Sequence, residues 1–291
     1  MQFDRVINFK VLLADPPPDL TYRGSLTVQN LRIAFSITKS MSPSTNTASV
    51  RVWNLGSDSR NELRIFGDQI TLYAGYRDPG PQILFVGNTT LVSHIFSEPE
   101  IISVFDVGDG EKSINTKLVN ISFGPGTPAR TVIQSFADQL GLKIEEFSAT
   151  DNLVYPNGFT HAYLASHGLD KACDYLNLVW SVQNNNLIIL KNNTGSSKPI
   201  IDINADTGMI GTPQRYTDKK QYLYTAVPPK GAPKNGWKVR CLLRPDILPG
   251  QIVRIRSDNV RIDGFFYVLT VRHEGDNYGP TFESSLEVIE V

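Results

Sequence analysis

The sequence predicts a mainly β protein with an α+β middle, and three observations carry that expectation. In the first third, Leu31, Ile33, Phe35 and Ile37 interleave with Arg32, Ala34, Ser36 and Thr38, the period-two pattern of a strand with one buried face. Helical stripes are confined to the centre of the chain. The last third returns to short apolar runs. Aromatic residues make up 10% of the 291 positions, and together with many Val, Ile and Thr they favour strands over helices.

Taken in order, Val50 and Val52 continue the strand pattern, followed by Ile70, Leu72, Ala74 and Tyr76 and by apolar segments at 83–86 and 101–107. A short helix is expected between Ser57 and Phe66, capped by Ser57 or Asp58 and ended at Gly67. Many short strands around one helix imply a barrel or a sandwich. Thr127 followed by Pro128 then marks a helix start. Its stripe is Val132, Ile133, Phe136, Ala137 and Leu140, and Gly141 ends it. A second helix is expected from Ser166 to Leu178, with Leu169, Ala172, Cys173 and Leu176 on one face. A hairpin of 180–182 and 187–190 turns through Gln183, Asn184, Asn185 and Asn186, because asparagine tolerates positive φ. Asn192 to Lys198 reads as a polar linker or loop. Strands return at 238–243, 251–255, 265–272 and 282–291, with an exposed loop from Pro228 to Gly236. No internal sequence repeat is visible.

Composition excludes several classes. The 28 basic residues nearly balance the 29 acidic ones, so net charge gives no sign of a nucleic-acid-binding protein. Cys173 and Cys241 are too few and too far apart for a disulfide framework or a zinc knuckle, and read as small buried thiols. The opening Met1-Gln2-Phe3-Asp4-Arg5 lacks the basic-then-apolar pattern of a signal peptide, and no apolar stretch approaches the roughly 20 residues of a membrane helix. The expectation is a chain made and folded in a cytoplasm.

Catalytic motifs fail on mechanics. Ser36 and Lys39 fit S-x-x-K and Ser257-Asp258-Asn259 fits S-D-N, but residues 36 and 39 sit on a strand, where odd spacing puts them on opposite faces. Gly108 to Ser113 lacks the glycines of a phosphate loop. Of the four histidines, His94, His161, His167 and His273, only His161 and His167 could meet to hold a metal, and surface or capping roles are the more ordinary reading. The sequons at Asn88, Asn120 and Asn192 carry no meaning for a chain that is not secreted. No catalytic, cofactor or metal residue is assigned. From Arg215 to Arg272 the chain has 12 Lys or Arg against four Asp, a net of +8. Without interleaved aromatics this reads as a solvated face or a protein interface rather than a nucleic-acid groove, with the acidic residues after it offsetting part of the charge.

Three stretches then point to a family. They are Leu31–Lys39 with Ala48–Leu55 and Ile70–Tyr76; Ser122–Pro128 leading into Val132–Leu140, with Trp180-Ser181-Val182; and Thr207–Pro213 with Leu242–Gly250 and His273–Asn277. In this order they resemble baseplate hub proteins of contractile-tailed bacteriophages, the tail hub family related to the hub part of type VI secretion spike proteins. The resemblance implies two tube-like β-barrel domains, 1–112 and 206–291, flanking a small α+β domain, 113–205, that faces the spike. It implies a homotrimer adapting a six-fold tail tube to a three-fold spike. The implied partners are the tail spike, tail tube, tape-measure and other baseplate proteins, with DNA only in transit through the channel. The family has no catalytic motif or cofactor, so the resemblance implies a non-enzymatic virion protein assembled in the host cytoplasm. It also suggests that the first strand (Ile7, Phe9, Val11, Leu13) and the last (Leu286, Val288, Val291) are sheet edges that join copies. Two other classes compete: a tail-associated cell-wall hydrolase, and a carbohydrate- or receptor-binding tail module using Tyr216, Tyr222, Tyr224 and Trp237.

Overall fold

A computed structural model describes residues 4–13, 24–41, 45–63, 67–148, 152–191, 194–217 and 235–291. The first third supplies β1 (Arg5–Leu12), β2 (Ser25–Val28), β3 (Ile33–Ser40), β4 (Thr47–Trp53), α1 (Ser57–Glu62), β5 (Gln69–Tyr76), β6 (Gln82–Ser97) and β7 (Glu100–Gly108). The middle holds α2 (Glu111–Thr116), β8 (Leu118–Phe123), β9 (Thr127–Pro128), α3 (Ala129–Leu140), β10 (Lys143–Phe147), β11 (Val154–Tyr155), β12 (Phe159–Leu164), α4 (Ala165–Tyr175), β13 (Leu178–Gln183) and β14 (Asn186–Lys191). The last third gives β15 (Ile201–Ile203), β16 (Met209–Thr217), β17 (Asn235–Leu242), β18 (Ile252–Ser257), β19 (Ile262–Asp276) and β20 (Phe282–Glu290). The protein is thus mainly β, with its longer helices in the middle.

Each third has its own apolar core. The first centres on Phe9 and Phe105, edge to face at 4.8 Å, with Ile33, Phe35 and Ile37 on the buried side of β3 as the alternation predicts. The middle core packs Val132, Ile133, Phe136, Ala137 and Leu140 of α3 against Leu169, Ala172 and Cys173 of α4 and Leu187 and Ile189 of β14. The third gathers Val239, Val253, Ile255, Val271, Leu286 and Val288. Ile201 and Ile203 belong to this last core, since β15 pairs with β18.

Helix ends differ in detail from the sequence signals. No side chain caps α1 or α3; Thr127 Oγ1 instead donates to the Gly124 carbonyl at 2.7 Å. Gly141 does close α3 in the left-handed conformation at φ 68°. Leu176 falls at the end of α4 and is only half-buried, whereas Leu169 is fully buried. Leu169→Ala is therefore expected to cost about 2–5 kcal/mol, with Leu176→Ala costing clearly less; urea melts of both variants check the ranking.

The outer thirds form one continuous 13-stranded sheet, with β19 pairing antiparallel to β3 across the chain. Its main path runs β16-β17-β20-β19-β3-β4-β7-β6-β5-β1-β2. Among the described strands no pairing closes either half into a barrel. The expected edges are also corrected. The first strand lies between β5 and β2, and the last between β17 and β19, so each has backbone partners on both edges. The ends of the main path are β2 and β16.

The two halves repeat one topology. Strands β3 to β7 and strands β16 to β20 pair in the same order, first–second–fifth–fourth–third. An earlier strand flanks the third in each half, β1 antiparallel to β5 and β15 parallel to β18. Each fourth strand is long, 16 and 15 residues, and slips register once against the fifth, between Thr89 and Leu91 and between Val268 and Thr270. Just before each third strand stands a positive-φ glycine: Gly67 N–H donates to Thr89 O at 2.9 Å, and Gly250 N–H to Val268 O at 2.8 Å. Beyond the bulges, His94 Nδ1 lies 3.0 Å from Ser103 Oγ, and His273 Nδ1 lies 2.8 Å from Ser284 Oγ, each pair directly across the ladder. Sequence comparison misses the repeat because a pleated pair requires alternation and register but not identity.

Candidate functional site

The junction of the three cores is built from buried polar groups. The β13–β14 hairpin turns through Asn184 and Asn185 at φ 54° and 63°, as the asparagine run predicts. The Asp109 carboxylate, directly after β7, accepts both turn N–H groups, from Asn184 at 2.7 Å and Asn185 at 2.8 Å. Lys39 at the end of β3 donates to Asn184 Oδ1 at 2.9 Å. Asn46 accepts from Ser40 N–H at 2.9 Å and donates to Val182 O at 2.6 Å, while Gln183 Nε2 donates to Ser40 O at 3.0 Å. On the far side of β14, a Cβ on Gly250 would lie 2.7 Å from Leu190 and 3.0 Å from the Met41 sulfur, so the close approach as well as the positive φ calls for glycine.

The electrostatics follow from burial. Desolvation pushes the Lys39 ammonium down to about 8, against the pull of Asp109. Burial pushes the Asp109 carboxyl up, opposed by the Asn185 N–H, by Lys39 and by the Asn184 N–H. Burial and the Lys39 charge hold His273 down at about 3. Between that value and the ordinary 6.5, the unfolded chain binds more protons at this position than the folded one. Stability from this group therefore rises with pH across the window and is lost as pH falls through it. His273→Leu is expected to flatten that part of the profile relative to wild type, read as denaturant midpoints between pH 3.5 and 7.

The motifs set aside on sequence grounds take structural places. Ser36 faces out while Lys39 is buried on the opposite face of β3. The Gly108–Ser113 stretch carries the Asp109 clamp and the start of α2. His161 donates through Nε2–H to Leu164 O at 2.9 Å and packs on Phe136, whereas His167 packs on Tyr163. Among the described residues no group of three or more His, Cys, Asp or Glu is placed to hold a metal ion. Burial pushes the Cys241 thiol up to about 12 and the Cys173 thiol higher still, so neither is a ready nucleophile.

Six of the basic residues between Arg215 and Arg272 stand in ion pairs. Lys238 pairs with Glu287 at 2.8 Å, Arg240 with Glu283 at 3.5 Å and Arg272 with Glu274 at 2.6 Å, so acids beyond the segment do offset it. Arg244 pairs with Asp246, Arg254 with Asp263, and Arg256 with Asp202. The first three pairs line a polar groove of about 1040 Å³ on the sheet between β16 and β3. Lys219, Lys220, Lys230 and Lys234, the loop from Pro228 to 234, and Tyr222 and Tyr224 lie outside the described residues, as does the Tyr216 side chain. Trp237 is buried beneath the Arg215 guanidinium, 4.9 Å from its ring, and offers no sugar platform.

Exposed apolar side chains collect on the β6–β7 arm, where Leu91, Ile95 and Phe96 are 47, 52 and 73% exposed. Leu91 and Ile95 share one face of β6 and Phe96 stands on the other, and exposed apolar residues of this kind are ordinary on a protein surface.

This fold is shared with tail proteins of phages and prophages. The 43 kDa tail protein of prophage MuSo2 from Shewanella oneidensis superposes with a TM-score of 0.68 at 12% identity, covering 99% of this chain and 97% of that one. A tail protein from Neisseria meningitidis MC58 does so at 0.69 and 10%, with the same coverages. An E. coli type VI secretion component, described as structurally similar to T4 tail proteins gp27 and gp5, reaches 0.60 at 8% identity over 89% of this chain and 73% of that one. No curated protein sequence matches significantly. The family model of baseplate hub gp41 matches residues 66–219, more than half of the chain. The chain belongs to this baseplate hub family, whose members are structural components of the virion tail.

Sequence reasoning missed the junction. One signal was present: Lys39 continues the buried parity of Ile33, Phe35 and Ile37, and a charge in that register calls for a buried partner.

Proposed function

We propose that the chain is a baseplate hub acting as a homotrimer, which adapts a six-fold tail tube to a three-fold spike through binding surfaces alone. The observation that supports this reading is the repeated strand order, with matched bulges and matched His–Ser pairs in both halves. Three copies of a two-repeat chain present six similar units to a hexameric tube, while the trimer axis suits a trimeric spike. In this reading 1–112 and 206–291, the latter joined by β15, are the two tube-facing β units of one continuous sheet, and 113–205 faces the spike. Its partners are spike, tube, tape-measure and other baseplate proteins. Assembly takes place in the host cytoplasm, and DNA only passes through the channel. The likeness to a type VI component itself compared with gp27 and gp5 supports a spike-bearing role.

The hub needs no catalysis. Lys39, Asp109 and His273 are engaged inside the junction. No helix among the described residues is long and apolar enough to cross a membrane. Light scattering after size exclusion is expected to give three chains per particle. A peptidoglycan zymogram cleared by the purified protein, with clearing lost on a single substitution, would restore the hydrolase reading.

A further inference from the structure

The junction sets an amine, a primary amide and a carboxyl group together. Lys39, near the end of β3, is 1% exposed, and Asp109, directly after β7, is fully buried. Lys39 Nζ lies 2.9 Å from Asn184 Oδ1 at the tip of the β13–β14 hairpin, 145 residues away in the chain. The same ammonium stands 5.8 Å from the centre of the apolar Phe85 ring. Asp109 fixes the asparagine in place, since its carboxylate accepts the Asn184 backbone N–H at 2.7 Å and that of Asn185 at 2.8 Å.

We propose that Lys39 and Asn184 join in an intramolecular isopeptide bond, a single reaction of the chain on itself that releases ammonia. It goes beyond the hub reading and does not rest on it. The Lys39 Nζ lone pair attacks Asn184 Cγ, which is one bond from the oxygen already in contact. The bond formed is Nζ–Cγ and the bond broken is Cγ–Nδ2. One proton passes from Nζ to the leaving Nδ2. The products are a secondary amide and one ammonia molecule, with nothing oxidised or reduced.

The surroundings favour this step. The reactive form of a lysine is the free amine, and burial brings Lys39 down to about 8, so about a tenth is free amine at pH 7. The charges acting on it are Asp109, which opposes that shift, and Lys198, which adds to it; His273, whose own shift registers the Lys39 charge, stays neutral. Burial raises the Asp109 carboxyl, which suits it to take the ammonium proton and return it to the leaving nitrogen. The terminal torsion of an asparagine is broad, so the amide can turn to bring Cγ within the roughly 3–3.5 Å of an attack geometry. Asn184 is only partly buried, which gives ammonia an exit to water, while burial of Lys39 keeps competing water from the attacking side. The bond would tie β3 of the outer sheet to the hairpin of the middle unit, so that neither is pulled from the other without breaking a covalent link.

Mass spectrometry of the purified wild-type chain under denaturing conditions is the test. The chain is expected to lack one ammonia relative to its sequence. Because ammonia is also lost at other asparagines, the position is read from peptides. Trypsin is expected to skip Lys39 and release one branched peptide joining 33–51 to 172–191. On a denaturing gel the looped chain should run ahead of Lys39→Met. Lys39→Met and Asn184→Gly should both keep the full mass, glycine being chosen because the turn holds residue 184 at φ 54°. In Asp109→Asn the branched peptide is expected to vanish with circular dichroism unchanged, and its persistence would overturn the proton role of Asp109. A wild-type chain at full mass, cut normally after Lys39, overturns the proposal. Loss of water in place of ammonia, with the branch at Asp109, would overturn the choice of Asn184.

Discussion

Asp109→Ala is expected to destabilise the protein by about 3–5 kcal/mol. The carboxylate is fully buried and satisfies two backbone N–H groups of the β13–β14 turn. Its removal strands both donors and leaves the buried Lys39 ammonium without its counter-charge. A buried unpaired donor and a buried unpaired charge are among the few single defects large enough for such a loss. Lys39→Met removes the counter-charge of the buried Asp109 and so is also expected to destabilise, but by less than Asp109→Ala, because Asp109 keeps both backbone N–H donors. Denaturant midpoints of the two variants measure this asymmetry. An Asp109→Ala midpoint equal to wild type would show that the turn does not depend on the clamp.

Phe282→Ala is expected to cost about 3–5 kcal/mol, and the loss should be felt in both halves. Phe282 begins the last strand but belongs to the first core, with Leu243. Its ring meets Phe35 edge-on at 6.2 Å and Tyr76 at 5.4 Å, and Arg5 stacks over it at 5.2 Å. Gly275 leaves room for these rings at the joint: a Cβ there would come within 2.5 Å of Phe35 and 2.9 Å of Phe282. Since β20 is an interior strand, deleting 282–291 should unfold the C-terminal half rather than merely remove an intermolecular joint. Hydrogen exchange on Phe282→Ala is the readout. Protection unchanged in β3 and β4 would mean that the halves are not coupled through this ring.

Much of the fold was legible because it rests on local periodicity. The buried faces of β3 and β5, the α3 stripe, the Gly141 stop and the asparagine turn each follow from spacing within a few residues. The β8–β12 ribbon was not legible. Its burial alternates weakly, and Leu118 and Tyr163 stay exposed. Strand order was illegible for a different reason. Which edge β19 offers to β3 depends on contacts more than 200 residues apart in the chain, such as Asn277 N–H to Ile33 O. The junction combined both problems. Lys39 signalled its own burial by parity, but Asp109 sat in a turn whose sequence says nothing of the hairpin it clamps.

In the proposed hub, two copies of one strand order in each chain give a ring of six similar units from three chains. Class averages of the purified protein in electron micrographs decide it, and particles with three-fold symmetry and six similar lobes around a channel are expected. Monomers at high concentration, or two-fold dimers, would contradict it.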